Sequence, residues 1–146
     1  MAPAIRVFLL TCLPVSSLFA APPDHAKILR GHDRSVVAVA FSPDGKRIAA
    51  VAKHHDQYRI VVDDNVWQNT FDMAWQPVFS PSSGEVAVKI EKNGKYSIAV
   101  NDRLWDQECD AIWDPVFSPK GDKILLKTLQ GNLYTRRVIS IEDILG

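Results

Sequence analysis

The chain has 146 residues, 47% of them apolar, with 17 basic and 17 acidic side chains and a formal net charge of zero. Length and composition support one domain with a core and argue against global disorder, while the neutral balance argues against nucleic-acid binding by phosphate neutralisation. Two cysteines exclude a disulfide framework, a four-thiolate zinc site and an iron–sulfur cluster, and no Cys-x-x-Cys-His is present for covalent haem attachment.

The first predicted element is a processing segment. Arg6 is the one charge in residues 1–20, and Val7 to Ala20 (VFLLTCLPVSSLFA) is apolar or small, followed by Ala21-Pro22-Pro23. A short positive start and an apolar run ending in small residues predict a signal peptide over 1–20, and hence a periplasmic or secreted protein. The alternative is a cytoplasmic, membrane-associated chain with an apolar arm. The run is short for a membrane span and Pro14 interrupts it, so no membrane span is expected after signal removal. Residues 21–30 read as an extended segment.

An internal repeat then organises the chain. Phe-Ser-Pro recurs at Phe41-Ser42-Pro43, Phe79-Ser80-Pro81 and Phe117-Ser118-Pro119, a spacing of 38 both times. Between 41–78 and 79–116 the register holds without a gap, and 13 of 38 positions are identical, including Tyr58/Tyr96, Trp67/Trp105, Asp72/Asp110, Trp75/Trp113 and Pro77/Pro115. The copy beginning at Phe117 keeps the tyrosine in phase at Tyr134 but carries Asp143 where the period calls for tryptophan.

Each repeat reads as four short strands. Strand one, Ile112 to Phe117 and its equivalents, ends at Phe-Ser-Pro and a turn whose glycine is Gly45, Gly84 or Gly121. Strand two is Glu85 to Glu91; in the first copy it runs Ile48 to Ala52 and is almost wholly apolar, as a strand covered on both faces should be. Asn93-Gly94 and Gly131-Asn132 signal hairpins into strand three, Tyr96 to Val100. Asn101-Asp102-Arg103 turns into a short strand four at Leu104-Trp105. No segment after residue 25 shows a helical period. Pro77 and Pro115 lie within strand one and confine it to a sheet edge. The period, strand count and edge proline predict an all-β chain of the β-propeller type, with about three four-stranded blades over 31–146.

Gly31-His32 followed by Val36-Val37-Ala38-Val39-Ala40-Phe41-Ser42-Pro43-Asp44-Gly45 resembles the opening of a WD40 repeat, and Trp105-Asp106 its closing dipeptide. The later copies resemble the tryptophan-rich, WD40-like TmcD family of the Tmc transmembrane redox complex. The stretch from Trp67 to Arg137 carries that likeness, through Trp-x(7)-Trp-x-Pro-Val-Phe-Ser-Pro and Gly-Lys-Tyr-x-Ile-Ala-Val. The resemblance implies a cofactor-free accessory propeller in a membrane-associated electron-transfer complex, with other redox-complex subunits as protein partners. A TolB-like periplasmic propeller, or a small-ligand or ion-binding accessory domain, is the alternative.

The candidate residues read as structural repeat positions. Trp67, Trp75, Trp105 and Trp113 recur because each blade needs them for packing. Phe41, Phe79 and Phe117, with Tyr58, Tyr96 and Tyr134, recur in the same way. Asp72 and Asp110 are expected to hold the turn before strand one by accepting backbone N–H groups. Cys109 shares a repeat position with Phe71 and is expected to be buried. His54-His55-Asp56 invites a metal reading, but neighbouring strand residues point to opposite faces, so a solvated hairpin tip is expected. Ser42, Ser80 and Ser118 stand outside any Gly-x-Ser-x-Gly elbow, and no histidine recurs with them. No enzyme activity, metal or cofactor is predicted. A closed propeller needs at least about four blades. The three-odd repeats here therefore predict self-association to complete a ring.

Overall fold

The structure is a computed structural model that describes residues 35–146. The signal peptide, the 21–30 segment and Gly31-His32 lie outside the described residues. Three antiparallel sheets follow one another along the chain, and the described residues are all-β apart from one short helix. The first sheet orders β1 (Ser35–Phe41), β2 (Ile48–His54), β3 (Gln57–Val62) and β4 (Asn65–Val66). In the second, β5 (Met73–Ala74) and β6 (Val78–Phe79) share one edge of β7 (Val86–Lys92), followed by β8 (Lys95–Val100) and β9 (Arg103–Leu104). In the third, β10 (Ala111–Ile112) and β11 (Val116–Phe117) share an edge of β12 (Lys123–Gln130), whose other edge pairs with β13 (Leu133–Ser140).

Strand one is the edge strand throughout, as Pro77 and Pro115 require in the later copies, where it is also not continuous. Ala74 pairs with Ile90 and Val78 with Ala87, so four steps on one strand face three on its partner. The same mismatch separates Ile112↔Thr128 from Val116↔Leu125. In β1 the register shifts between Val36 and Ala38. All three irregularities fall at one repeat position, occupied by Val37, Trp75 and Trp113. In the second and third copies a proline two residues on, Pro77 or Pro115, has no N–H for the ladder and a bulge absorbs the gap; the first copy has Val39 there and bulges all the same.

The serine of Phe-Ser-Pro closes the following turn. Ser42 Oγ accepts the Arg47 N–H at 2.9 Å, Ser80 Oγ the Glu85 N–H at 3.1 Å, and Ser118 Oγ the Lys123 N–H at 3.1 Å. The turn needs one residue at positive φ: Gly45 (73°), Ser83 (65°) and Gly121 (79°). Gly84 is therefore not the turn glycine of the second copy; the gapless period places Ser83 there. Among the other hairpins, His55, Asn93 and Gly131 share one left-handed position, with φ of 56°, 54° and 60°.

Two cores lie between successive sheets. Ala49, Val51, Ile60, Val62, Trp67 and Phe71 of the first repeat meet Ala74, Phe79, Val86, Val88, Ile90 and Ala99 of the second. Ala87, Ile98, Val100, Trp105 and Cys109 then meet Ile112, Ile124, Leu126 and Ile139 of the third. Adjacent strand residues go to opposite faces, so the middle sheet is buried on both sides. Neither core joins the first sheet to the third, so the described sheets stack in a row.

The third copy departs from the four-strand unit. Where β4 and β9 stand in the earlier copies, helix α1 (Ile141–Leu145) follows β13, against the expectation that no helix occurs. Its Ile141 and Ile144 enter the second core, which an Asp143 in place of tryptophan could not do. The Arg103 guanidinium donates to the Leu145 carbonyl at 2.7 Å and ties the helix end to the second sheet. Among the described residues, no helix is long and apolar enough to cross a membrane.

Candidate functional site

The repeated residues divide into those that join sheets and those that face outward. Trp67 and Trp105 are buried in the two cores, each donating its backbone N–H to the residue seven before it, Ile60 or Ile98. Phe71 and Cys109 exchange both backbone hydrogen bonds with Tyr58 and Tyr96 and are also buried. Cys109 is a free thiol, and its burial pushes its pKa up, away from a reactive thiolate. Phe79 is buried at 7% exposure, whereas Phe41 at the same repeat position is 62% exposed. Phe117 is half-buried.

Asp72 and Asp110 act at longer range than a local turn. Asp72 Oδ2 accepts the Asn93 N–H at 2.7 Å, and Asp110 Oδ2 the Gly131 N–H at 2.6 Å, so each carboxylate pins the tip of the hairpin 21 residues on. The Lys95 ammonium lies 2.6 Å from Asp110 and, with that N–H, holds the Asp110 carboxyl below the usual carboxylate range. Lys95 is correspondingly raised by the same carboxylate. Asp102, missed in the sequence reading, accepts the Gln68 and Asn69 backbone N–H groups at 2.7 and 3.2 Å and so links the first two sheets.

An open groove of about 310 Å³ runs between those two sheets, beside Arg47, Trp67 and Asp102. Its charged groups are already engaged. The Arg47 guanidinium donates to Asp63 Oδ2 at 3.0 Å and to the Ser83 and Gly84 carbonyls at 2.8 and 3.0 Å. His54 and His55 cross edge to face at 4.3 Å on an exposed hairpin tip. No group of three or more metal-ligating side chains forms among the described residues.

The outward-facing members gather on the third sheet. The register pairs Leu125 with Val138, Lys127 with Arg136 and Leu129 with Tyr134, all on the face turned away from the second sheet. Val116 joins them through its pairing with Leu125. Trp113 lies against Tyr134 with ring centroids 5.3 Å apart, as Trp75 lies against Tyr96 at 5.8 Å. Trp113 is 41% exposed and Tyr134 54%, while Trp75 and Tyr96 are half-buried. Trp75 and Trp113 are thus not core tryptophans like Trp67 and Trp105: each follows a core residue, Ala74 or Ile112, and strand alternation turns it to the opposite face, over Lys89 or Lys127. The arrangement offers aromatic, aliphatic and cationic groups on a rigid sheet, chemistry suited to holding a partner surface.

No family model matches the chain, and no curated protein matches it. Among solved structures the chain is similar to a candidate 6-phosphogluconolactonase from Bacteroides uniformis, at 19% identity and a TM-score of 0.34. The match covers 70% of this chain and 39% of that one, so this chain spans well under half the length of that protein. That neighbour is described as an enzyme, so the expectation that this chain has no enzyme activity is withdrawn. A likeness of this degree assigns neither fold nor activity.

Proposed function

We propose that this chain is a propeller-type, WD40-like repeat module that binds a partner protein and serves as an accessory subunit of a membrane-associated electron-transfer complex. The observation that carries the binding reading is the apolar surface left open on ordered sheets. Val36, Val37, Val39 and Phe41 are exposed along the edge strand β1, and Val116, Leu125, Tyr134 and Val138 are exposed on the third sheet. Monomeric soluble proteins rarely leave such patches bare, and large ones mark interaction sites. The sheets beneath are cross-linked by cores and side-chain-to-backbone hydrogen bonds, so the surface is presented in a fixed shape at little entropic cost. The redox assignment is supported by the sequence resemblance over Trp67 to Arg137.

The test is co-purification of the full chain from membranes solubilised in mild detergent, with haem absorbance and iron content read in the eluate. A stoichiometric cytochrome or iron–sulfur subunit is the expected result. An eluate containing the chain but neither haem nor iron overturns the electron-transfer reading.

A further inference from the structure

The three copies allow one surface to be compared in covered and bare states. In the second sheet, the face toward the third carries Ala87, Lys89, Tyr96, Ile98 and Val100, and Ala87, Ile98 and Val100 are fully buried. In the third sheet, the same repeat positions are Leu125, Lys127, Tyr134, Arg136 and Val138. Leu125 is 37% exposed and Val138 66%. The covered state also shows how its lysine is met. The Lys89 ammonium sits 4.4 Å from the centre of the Trp75 ring and 3.7 Å from Asp114 Oδ1, a carboxylate at the bulge of the covering sheet. The third sheet repeats the framework: the Trp113 N–H donates to the Lys127 carbonyl at 3.0 Å, as the Trp75 N–H does to Lys89. It then adds a second cation, Arg136, where Ile60 and Ile98 stand in the earlier copies.

We propose that this face of the third sheet, built around Trp113, Lys127, Tyr134, Arg136 and Val138, seats an extended, carboxylate-bearing segment of a partner protein. The proposal rests on the protein-binding reading above and names the chemistry of the partner. Charge decides between occupants. The paired rows from β12 and β13 on this face hold Lys123, Lys127 and Arg136 and no acidic residue. Lys123 is met by Asp122 at 3.0 Å, but Lys127 and Arg136 have no salt-bridge partner among the described residues. A cation covered without a counter-charge is strongly penalised, so the occupant must bring carboxylate. A second copy of the chain fits less well. At the Asp114 position the first sheet carries Ala38 and the second Gln76. The first sheet would also bring the exposed Arg59 toward two cations.

The test uses the full chain and a synthetic peptide of the sequence Asp110–Pro119, the segment that contributes Asp114 to Lys89. Titration is followed by NMR at the Trp113 indole and the Val138 methyls. Saturable shifts at both, with a dissociation constant below about 1 mM, are expected. Lys127→Met in the protein, or Asp114→Asn in the peptide, should each weaken binding by about 3–10-fold. Combined, they should weaken it little further, as coupled partners do. Val138→Asp, at an exposed position that leaves the fold intact, should remove saturation. Overturning results are no saturation by about 2 mM peptide, insensitivity to Lys127→Met, or a dimer in sedimentation that Val138→Asp dissociates. If the Val138→Asp chain still co-purifies with its partner, this site is refuted and the protein-binding reading stands.

Discussion

Phe41 and Phe79 share a triplet and a repeat position, yet their environments differ, and truncating each to alanine separates motif from packing. Full burial of a phenylalanine side chain is worth up to about 3 kcal/mol relative to exposure. Phe79, 7% exposed and set in the core between the first two sheets, realises nearly all of that, whereas Phe41, 62% exposed, realises little more than a third. Phe79→Ala also leaves a cavity walled by two packed sheets, which brings the expected loss to about 3–5 kcal/mol. The Arg47 guanidinium, 5.6 Å from the Phe79 ring centre, loses a cation–π contact as well. Phe41→Ala opens no enclosed cavity, so its cost should stay near 1 kcal/mol. Against a total stability of about 5–15 kcal/mol, the first change approaches the unfolding threshold and the second does not. Urea unfolding followed by circular dichroism gives both values at unchanged slope. Equal losses, or a greater loss at Phe41, would refute the inference that burial rather than the repeated triplet sets the contribution.

Gly121 sits at φ +79°, and a Cβ there would meet Pro81 Cδ at 3.4 Å, so Gly121→Ala should cost about 1–2 kcal/mol by thermal unfolding. Gly131 is also left-handed but has open space around it, and Gly131→Asn should be nearly neutral. Asp110 has a lowered folded pKa, from the Lys95 ammonium first and the Gly131 N–H second. Its contribution is therefore fully present above the unfolded value near 3.9 and lost as pH falls through the lowered folded value. Asp110→Asn should weaken the protein at pH 7 and match it in strong acid; a gap independent of pH would contradict this. Cys109 should react with a thiol reagent only in denaturant, because burial raises its pKa and blocks access. Fast native labelling would show the interface between the second and third sheets to be open.

The repeat made the strand order legible because a 38-residue period survives substitution at most positions. Side-chain direction was legible only where alternation holds. Alternation from Ala74 and Ile112 does turn Trp75 and Trp113 away from the cores, but their recurrence alongside Trp67 and Trp105 hid it; the break that Pro77 and Pro115 announced comes after them. Ser83 was obscured by its neighbour: glycine is the usual left-handed residue, but the gapless period already assigned the turn to the position before Gly84. The roles of Asp102 and the Phe-Ser-Pro serines depend on which backbone amides come within reach, and that is fixed by the stacking of sheets.

Position 136 carries the same lesson to the candidate site. Ile60 and Ile98 occupy it in the first two copies and are fully buried between sheets, so the repeat alone predicts an apolar residue. Arginine there reads as simple divergence in the sequence. In the structure, Arg136 is exposed beside Lys127 on a face that still carries Val138, Tyr134 and Trp113. An apolar face that only needed solubility could have lost its aromatic and aliphatic residues as well. Retaining them around two unneutralised cations changes the kind of surface it can meet, from another sheet of the same repeat to one that brings carboxylates.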